Sequence, residues 1–418
     1  MRLRTLYGVG RDWPLSYEDL EPFYTRAEYN LGVSGSDTED QSGLESGVCF
    51  PPRSAPYPVQ NESETYYFQR LKARLGPEGY IFLHEPHVRT NRPYDGRPAC
   101  CGNNNCMPVC PIGAMYSGEV HVRHAEACGA KLITDATVFR IEKGEGGKIA
   151  AVHYRTSEHR DVRLTARCFV LACNGLEIPK LLLMSDVANS SDQVGRNLMD
   201  HTGIGLQFLA DEPVWPGRGP IQQGGIFNWR DGPFRSEHAA IKHSINNAVI
   251  NQEVTRILLS RGVTGRRLDE QIRFMSSRWV EFSTTFEMLP YAHNRVQPSS
   301  TRKDALGIPA LTVHYDTDDY IARGAARAKE DFRTFVKTMN GTVIDDESGW
   351  QNRDHLMGTV IMGDNPRSSV VNHECRSWDH SNLFMATTGV IPASGVVNPT
   401  LAAVALAIRS ADIIEREI

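Results

Sequence analysis

The pattern of apolar and polar positions changes along the chain, and its first clear element is a helix. Ser16 precedes an acidic residue at position 19, which is typical of a helix N-terminus. One apolar stripe follows and ends at Gly32; its members are Leu20, Phe23, Tyr24, Ala27 and Leu31. Residues 35–65 are polar and rich in Ser, Pro and Glu, which predicts a long surface segment, and we consider it a possible lid.

From residue 130 onward the pattern is typical of an α/β protein. We predict strands over 131–134, 137–141 and 149–154, with a hairpin turn at 144–147. A buried strand over 168–172 then runs through the turn Asn174-Gly175 into a short helix around 181–183.

The second half is mixed before the α/β pattern returns. Residues 204–208 alternate as a strand does, and residues 320–340 carry one apolar face, which predicts a helix. A strand over 382–386 and a helix over 399–414, rich in Ala and Leu, complete the predicted elements.

Composition adds few constraints. The 418 residues are 40% hydrophobic and 23% charged, which is ordinary for a globular protein. A formal net charge of −5 gives no basic footprint for nucleic acid. No apolar run approaches the roughly 18–20 residues that span a bilayer, and the first residues lack the apolar core of a secretory signal. A cytosolic location and export that depends on a partner both remain open.

Four of the nine cysteines lie within eleven residues, at positions 100, 101, 106 and 110. The other five, including Cys49, are scattered, as small buried side chains usually are. Gly102 and the asparagines at 103–105 supply the unusual backbone angles that a chain needs to wrap a compact object. In a chain of this length, such a cluster indicates a metal site rather than a disulfide framework.

An iron–sulfur cluster is the interpretation that we favour for this segment. Pro111 directly after the last cysteine is typical of bacterial ferredoxin segments. Zinc is the main alternative, although two separated Cys-x-x-Cys pairs are absent, and redox or structural thiols are a third. Adjacent Cys100 and Cys101 project in different directions. Three ligands therefore remain, Cys100, Cys106 and Cys110, which favours a three-iron (3Fe-4S) cluster over a four-iron one.

Near the C-terminus, His355 is followed by Asn398-Pro399 and the last predicted helix. A lone histidine is more often a core or surface residue than a functional one. Asn is a preferred N-cap and Pro is preferred at the first helical position, so we expect this helix to start near Asn398. Its positive dipole end would then point at whatever precedes it.

Several motifs together resemble the glucose–methanol–choline (GMC) oxidoreductase family. They are His355-x-x-Gly-Thr-x-x-Met-Gly, Asn398-Pro399-Thr400 with its Ala-rich helix, the segment 12–24, Leu171-Ala-Cys-Asn-Gly-Leu-Glu-Ile-Pro, and Gly195-Arg-Asn-Leu-Met-Asp-His. With the cysteine run, the chain resembles the branch of bacterial FAD-dependent glucose, gluconate and fructose dehydrogenase catalytic subunits. The resemblance covers essentially the whole chain.

The resemblance implies specific roles. His355 would be the base that accepts the proton of the substrate hydroxyl, and Asn398 would hold that hydroxyl. FAD would be bound by Val138, Ala172, Asn174 and Gly175, and by the backbone N–H groups of Thr400 and Leu401. Asp354 departs from the Asn often found at this position, and its carboxylate could raise the pKa of His355.

The implied fold is an α/β FAD-binding lobe of Rossmann type plus a mixed-sheet substrate-binding domain. We expect the parts 1–95 (cap and lid), 96–204 (FAD lobe with the cysteines), 205–364 (substrate domain) and 365–418 (rest of the FAD lobe). The Gly-x-Gly-x-x-Gly turn that holds the flavin diphosphate is absent from the sequence, so we expect the lobe to lack its first βαβ unit and to bind FAD poorly.

The resemblance also implies partners. A sugar or polyol would be the substrate, and electrons would leave through the cluster to a cytochrome c subunit. A small subunit would carry the export signal, which would place the enzyme in the periplasm on a membrane through its partners. The alternative is a flavin-deficient remnant or an electron-transfer protein that retains only the cluster. No sugar-specific signature is evident in residues 205–350.

Overall fold

The computed structural model describes residues 1–37, 39, 53–345 and 349–418. Cys49 and most of the predicted lid lie outside these residues. The helices in the described part are α1 (Leu3–Tyr7), α2 (Tyr17–Leu31), α3 (Tyr66–Leu75), α4 (Glu119–Ala127), α5 (Glu177–Ser185), α6 (Asn251–Ser260), α7 (Gly265–Arg278), α8 (Asp319–Thr338) and α9 (Thr400–Glu417).

The strands fall into one large sheet and several small ones. In chain order they are β1 (Ser34–Gly35), β2 (Val59–Gln60), β3 (Phe82–His84), β4 (Ala136–Lys143), β5 (Ile149–Thr156), β6 (Asp161–Thr165), β7 (Phe169–Leu171), β8 (Gly203–Leu209), β9 (Gly224–Ile226), β10 (Ile241–Ile245), β11 (Trp279–Phe286), β12 (Arg295–Lys303), β13 (Pro309–His314), β14 (Thr342–Asp345) and β15 (Leu383–Met385).

The large sheet has six strands in the order β14-β8-β11-β10-β9-β3, and every neighbouring pair is antiparallel. Helices α3 and α8 pack with it around a core that contains Phe208, Phe282 and Phe335. Side chains alternate along a strand, and all five residues of the central β10 are buried. His243 contacts Asp331 of α8, whereas Lys242 and Ser244 bond residues outside the helix.

A second core lies around the parallel pair β7–β15. Helix α2 packs against α9, and α5 packs against β4 of the three-stranded sheet β4-β5-β6. Leu20 of α2, Leu182 of α5 and Leu406 of α9 all belong to this core. The two cores, with a parallel strand pair in one and a large sheet in the other, confirm the predicted α/β fold class. The four-part division of the chain stays a prediction.

Most of the predicted elements are present. The Ser16 hydroxyl accepts from the backbone N–H of Asp19, and the Asp19 carboxylate accepts from that of Ser16, so α2 begins with a full capping box. Gly32 ends α2 in the left-handed conformation. Of the described helices, none combines the length and the apolar character that crossing a bilayer requires.

Two local predictions are wrong. Residues 131–134 are not a strand; β4 begins at Ala136, and Leu132 and Ile133 are exposed, with no strand beside them among the described residues. Helix α9 begins at Thr400 with Pro399 as its N-cap, so Asn398 does not cap it. The physical reason is that the Asn398 side chain is already hydrogen-bonded elsewhere, to His355 and Lys242.

Gly358 allows a close approach of two segments that the site depends on. Its φ is +85°, and a Cβ there would lie 2.0 Å from the carbonyl oxygen of Asn197. Gly262 also has a positive φ, +74°, but a Cβ there would meet nothing within 4 Å. Comparing Gly358 with Gly262 separates the cost of backbone strain, which both positions share, from the cost of steric overlap, which only Gly358 has.

We therefore expect Gly358→Ala to lower the free energy of unfolding by about 3 kcal/mol or more, because backbone must move. Gly262→Ala should cost only the left-handed penalty of about 1–2 kcal/mol. Urea unfolding of both variants measures the difference. Equal losses would contradict the close approach at Gly358.

Candidate active site

His355 and Asn398, 43 positions apart, meet at one point of the surface. The His355 Nε2 atom lies 3.0 Å from Asn398 Nδ2. Asn398 is exposed and His355 is half-buried, so the pair lies at the surface. A hydroxyl oxygen placed within about 2.6–3.2 Å of both would be bonded by the base and by the amide together.

A buried carboxylate holds the segment that carries His355. Asp200 is 3% exposed and accepts hydrogen bonds from four backbone N–H groups. Its Oδ1 bonds the N–H groups of His201 (2.6 Å) and His355 (2.9 Å), and its Oδ2 bonds those of Arg353 (2.9 Å) and Asp354 (3.2 Å). Because a buried carboxylate needs such donors, the segment 353–355 is fixed to Asp200.

His201, which follows Asp200 in the chain, contacts the ring of His355. The two Nδ1 atoms are 2.9 Å apart, and His201 Nε2 lies 3.0 Å from the carbonyl oxygen of Gly395. His201 is fully buried, and this burial, together with His355 and Lys242, lowers its pKa to about 3. His201 is therefore neutral at every pH at which the protein is expected to work.

On the other side, Asn398 is held by a buried ammonium group. Lys242 Nζ donates to Asn398 Oδ1 at 3.0 Å and lies 3.4 Å from Glu85 Oε1. Ser244 Oγ donates to the same carboxylate oxygen at 3.1 Å. Burial alone would raise the pKa of Glu85, but Lys242 and His87 outweigh it and hold this pKa below its usual value.

The electrostatic surroundings favour a neutral His355. Burial lowers its pKa below the usual 6.5, and the positive charges of Lys242 and Arg353 act in the same direction. The carboxylates of Asp200 and Asp354 act in the opposite direction but do not prevail. A neutral imidazole with a free nitrogen near pH 7 is what a general base requires.

The predicted flavin-binding residues that follow β7 lie beside the segment that carries His355. Ala172 and Asn174 follow the carboxyl end of β7, where ligands of parallel sheets usually bind. Asn174 Oδ1 accepts from the N–H groups of Leu176 and Glu177 and so starts α5. Thr359 Oγ1 donates to the carbonyl oxygen of Gly175 at 2.5 Å, which ties the β7 turn to the His355 segment.

Three further predicted flavin contacts lie at exposed backbone. Thr400 and Leu401 form the first turn of α9, whose N-cap makes no side-chain hydrogen bond, and first-turn N–H groups have no acceptor within a helix. Such groups suit the carbonyl edge of a flavin. Val138 is 39% exposed on β4, beside a register shift between Val138 and Arg140. These groups fit part of FAD, whereas the sequence has no Gly-x-Gly-x-x-Gly turn for its diphosphate.

The cysteine segment is tightly anchored but does not form a metal site by itself. Asn104 is buried, with a φ of +58°, and its Nδ2 donates to the carbonyl oxygens of Gly219 (2.9 Å) and Asn247 (2.7 Å). Its Oδ1 accepts from the N–H of Val249 at 3.1 Å. In the part of the chain that the structure describes, no three His, Cys, Asp or Glu side chains are placed to hold a metal ion.

The surroundings of one cysteine, Cys110, nevertheless favour its thiolate form. Burial would raise the pKa of Cys110, but hydrogen bonds from the backbone of residues 112–115 prevail and lower it. Cys100 Sγ accepts from the N–H of Gly102 at 3.4 Å, although burial raises the pKa of Cys100. Cys100, Cys106 and Cys110 are all half-buried, whereas Cys101 is exposed, so the adjacent pair does diverge in burial.

Reasoning from the sequence assigned no role to Asp200, His201, Lys242 or Glu85. Asp200 and His201 lie in the motif Gly195-Arg-Asn-Leu-Met-Asp-His, for which the family resemblance implied no individual role. Lys242 carried a usable signal, because a lysine within a five-residue strand that is otherwise apolar or uncharged is unusual in a buried position. Glu85 carried none, since its contact with Lys242 depends on β9 pairing with both β3 and β10.

The chain is similar to known families and proteins. Two family models described as GMC oxidoreductase match the chain, over residues 11–203 and 290–407. The chain is 42% identical to the fructose dehydrogenase large subunit of Gluconobacter japonicus over 99% of its length and 76% of that protein. It is 25% identical to the gluconate 2-dehydrogenase flavoprotein of Pantoea cypripedii, over 97% of the chain and 72% of the relative.

Solved structures support the fold. Pyridoxine 4-oxidase from Mesorbium loti superimposes with a TM-score of 0.62 at 15% identity, over 99% of this chain and 80% of that one. Formate oxidase from Aspergillus oryzae gives a TM-score of 0.64 at 13% identity, over 96% of this chain and 78% of that one.

Proposed function

Because the chain belongs to the GMC oxidoreductase family, which makes it an oxidoreductase acting on CH–OH groups, we propose that it is an FAD-dependent dehydrogenase of a sugar, sugar acid or polyol. The observation that carries this proposal is the 3.0 Å approach of His355 Nε2 and Asn398 Nδ2 at an accessible surface. The 42% identity to a fructose dehydrogenase subunit favours a sugar as the substrate.

Asn398 and His355 have different roles in the proposed reaction. Asn398 Nδ2 donates to the substrate oxygen and orients the hydroxyl, and His355 Nε2 takes up its proton. When bound, FAD supplies the acceptor for the hydride that leaves the carbinol carbon. The first turn of α9 presents N–H groups, and the turn at Asn174 and Gly175 holds the other side of the site against the His355 segment.

We further propose that Cys100, Cys106 and Cys110 hold a three-iron cluster. The backbone N–H groups around Cys110 lower its pKa, and such N–H···S bonds tune cluster potentials in general. The cluster would supply one-electron transfer from the reduced enzyme to a partner. Its formation requires the three thiolates to come closer together than the described residues hold them.

The partners and the location belong to the same proposal. A cytochrome c subunit would receive the electrons, and a small subunit would provide export, so that the enzyme works in the periplasm and reaches the membrane through these partners. The support is the resemblance of the chain to multi-subunit dehydrogenases, since the matched relative is itself called a large subunit.

The substrate proposal predicts a specific pattern of dye reduction. FAD-loaded protein should reduce an artificial acceptor with one or more aldoses, ketoses, gluconates or polyols. His355→Ala should lower the rate by about 100-fold or more, the range lost when a general base is removed. His293→Ala, at an exposed histidine, is the matched control. Full turnover in His355→Ala with unchanged flavin content would refute the assignment of the base.

The lowered pKa of His355 predicts the pH dependence. Only the neutral imidazole accepts a proton, so kcat/KM should rise with pH through the pKa of His355 and level off above it, with a midpoint below 6.5. Asp354 raises this pKa, so Asp354→Asn should move the midpoint to lower pH. Asp269→Asn, at an exposed position of α7, should leave it unchanged. A midpoint above 6.5 in the native protein would contradict the burial argument.

The cluster proposal predicts bound iron and acid-labile sulfide in anaerobically prepared protein. Asn104→Ala should lower both, because it leaves buried carbonyl and N–H groups unpaired at a cost of about 1–3 kcal/mol and loosens the segment. Asn105→Ala, whose side chain is exposed, should retain the iron. A colourless native protein with one zinc ion would overturn the proposal.

A further inference from the structure

We propose that Lys242 is a positioning residue that fixes the amide of Asn398, so that His355 presents an unprotonated Nε2 to the reacting hydroxyl. The inference deepens the proposed dehydrogenase function and rests on it. It concerns a lysine 113 positions before His355, on a strand of the large sheet, whose side chain is 6% exposed.

One end of the hydrogen-bond network, at Lys242, can only donate. An ammonium group has donors and no acceptor, so Lys242 Nζ identifies the atom of Asn398 that it contacts at 3.0 Å as the oxygen. The amide nitrogen must then face His355, 3.0 Å from Nε2. An amide nitrogen only donates, so Nε2 accepts and carries no proton.

The opposite end of the network, at Gly395, can only accept. The carbonyl oxygen of Gly395 lies 3.0 Å from His201 Nε2, so that nitrogen carries the proton. In a neutral His201, Nδ1 is then an acceptor, and its partner 2.9 Å away, His355 Nδ1, must donate. The proton of neutral His355 is therefore on Nδ1, and Nε2 is again free. Two independent ends give the same tautomer.

The direction of the network also limits what His201 can do. Every hydrogen bond from Lys242 to Gly395 donates in the same direction, and a backbone carbonyl cannot take up a proton. A proton that His355 receives at Nε2 thus has no exit through His201. It must leave from the side that the substrate occupied, so His201 orients the ring and does not relay the proton.

Lys242 is itself held in place by charge. Glu85 lies 3.4 Å from its Nζ, and Ser244 bonds the same carboxylate oxygen, so the ammonium group keeps one position in a buried setting. Removing one partner of a buried pair leaves the other uncompensated. Because Glu85 holds Lys242 in one position, Lys242 fixes the Asn398 amide more rigidly than a solvated lysine would.

The charged and titratable groups around His355 make the test specific. Asp200 and Asp354 raise its pKa, whereas Lys242 and Arg353 lower it, and His201 is neutral. Loss of Lys242 thus has two effects: it frees the Asn398 amide to turn, and it removes a positive charge beside His355. The first lowers the rate, and the second raises the pKa of the base.

The experiment compares Lys242→Met with native FAD-loaded protein. We expect kcat to fall about tenfold or more with a smaller change in KM, and the acid limb of kcat/KM to move to higher pH. Lys242→Arg, which keeps charge and donors, should restore the native limb. Lys143→Met is the matched control, because Lys143 forms a 2.9 Å pair with Asp186 at the surface. An unchanged kcat and acid limb in Lys242→Met would overturn the proposal.

A second measurement needs no substrate and no change at Lys242. ¹⁵N NMR of histidine-labelled native protein reports which imidazole nitrogen carries the proton, and comparison with His355→Gln assigns the His355 signals. We expect a protonated Nδ1 and an unprotonated Nε2. A proton on Nε2 would refute the inference. Failure of every sugar and polyol to reduce the flavin would instead refute the proposed function and leave the tautomer result standing.

Discussion

The carboxylate of Asp200 accepts hydrogen bonds from four backbone N–H groups, three of them in the consecutive residues 353–355, and the rest of the site is built on that contact. An ionised carboxylate that is almost fully buried is costly unless each oxygen is paired. The segment therefore has one low-energy position, and the ring of His355 projects from it toward Asn398. Gly358 permits the same segment to approach Asn197, on the chain just before Asp200.

From that fixed ring, a line of hydrogen bonds extends in both directions. One end is the carbonyl of Gly395 and the other is the ammonium group of Lys242, so the site is polarised between an acceptor and a donor. Burial keeps both histidines neutral, and the surrounding charges partly cancel. A base that is oriented and neutral before the substrate arrives needs little reorganisation during the reaction.

The sequence predicted the parts of this account that depend on local pattern. The capping box of α2, the hairpin β4–β5 and the amphipathic α8 follow from short-range spacing, and His355 and Asn398 follow from motifs. Contacts that strand pairing creates could not be predicted from the sequence, because Glu85 and Lys242 meet only through the strand order β3-β9-β10. The prediction that Asn398 is the N-cap of α9 was wrong, because capping preferences take no account of a side chain that is already hydrogen-bonded to His355 and Lys242.

In the proposed reaction, the hydroxyl carbon of a sugar or polyol loses hydride while His355 takes the hydroxyl proton. Anaerobic rapid mixing of FAD-loaded protein with a substrate deuterated at that carbon tests it most directly, with flavin absorbance as the signal. Deuterium should slow flavin reduction at pH values above the pKa of His355. Flavin reduction at the same rate with the deuterated and the ordinary substrate at those pH values would contradict it.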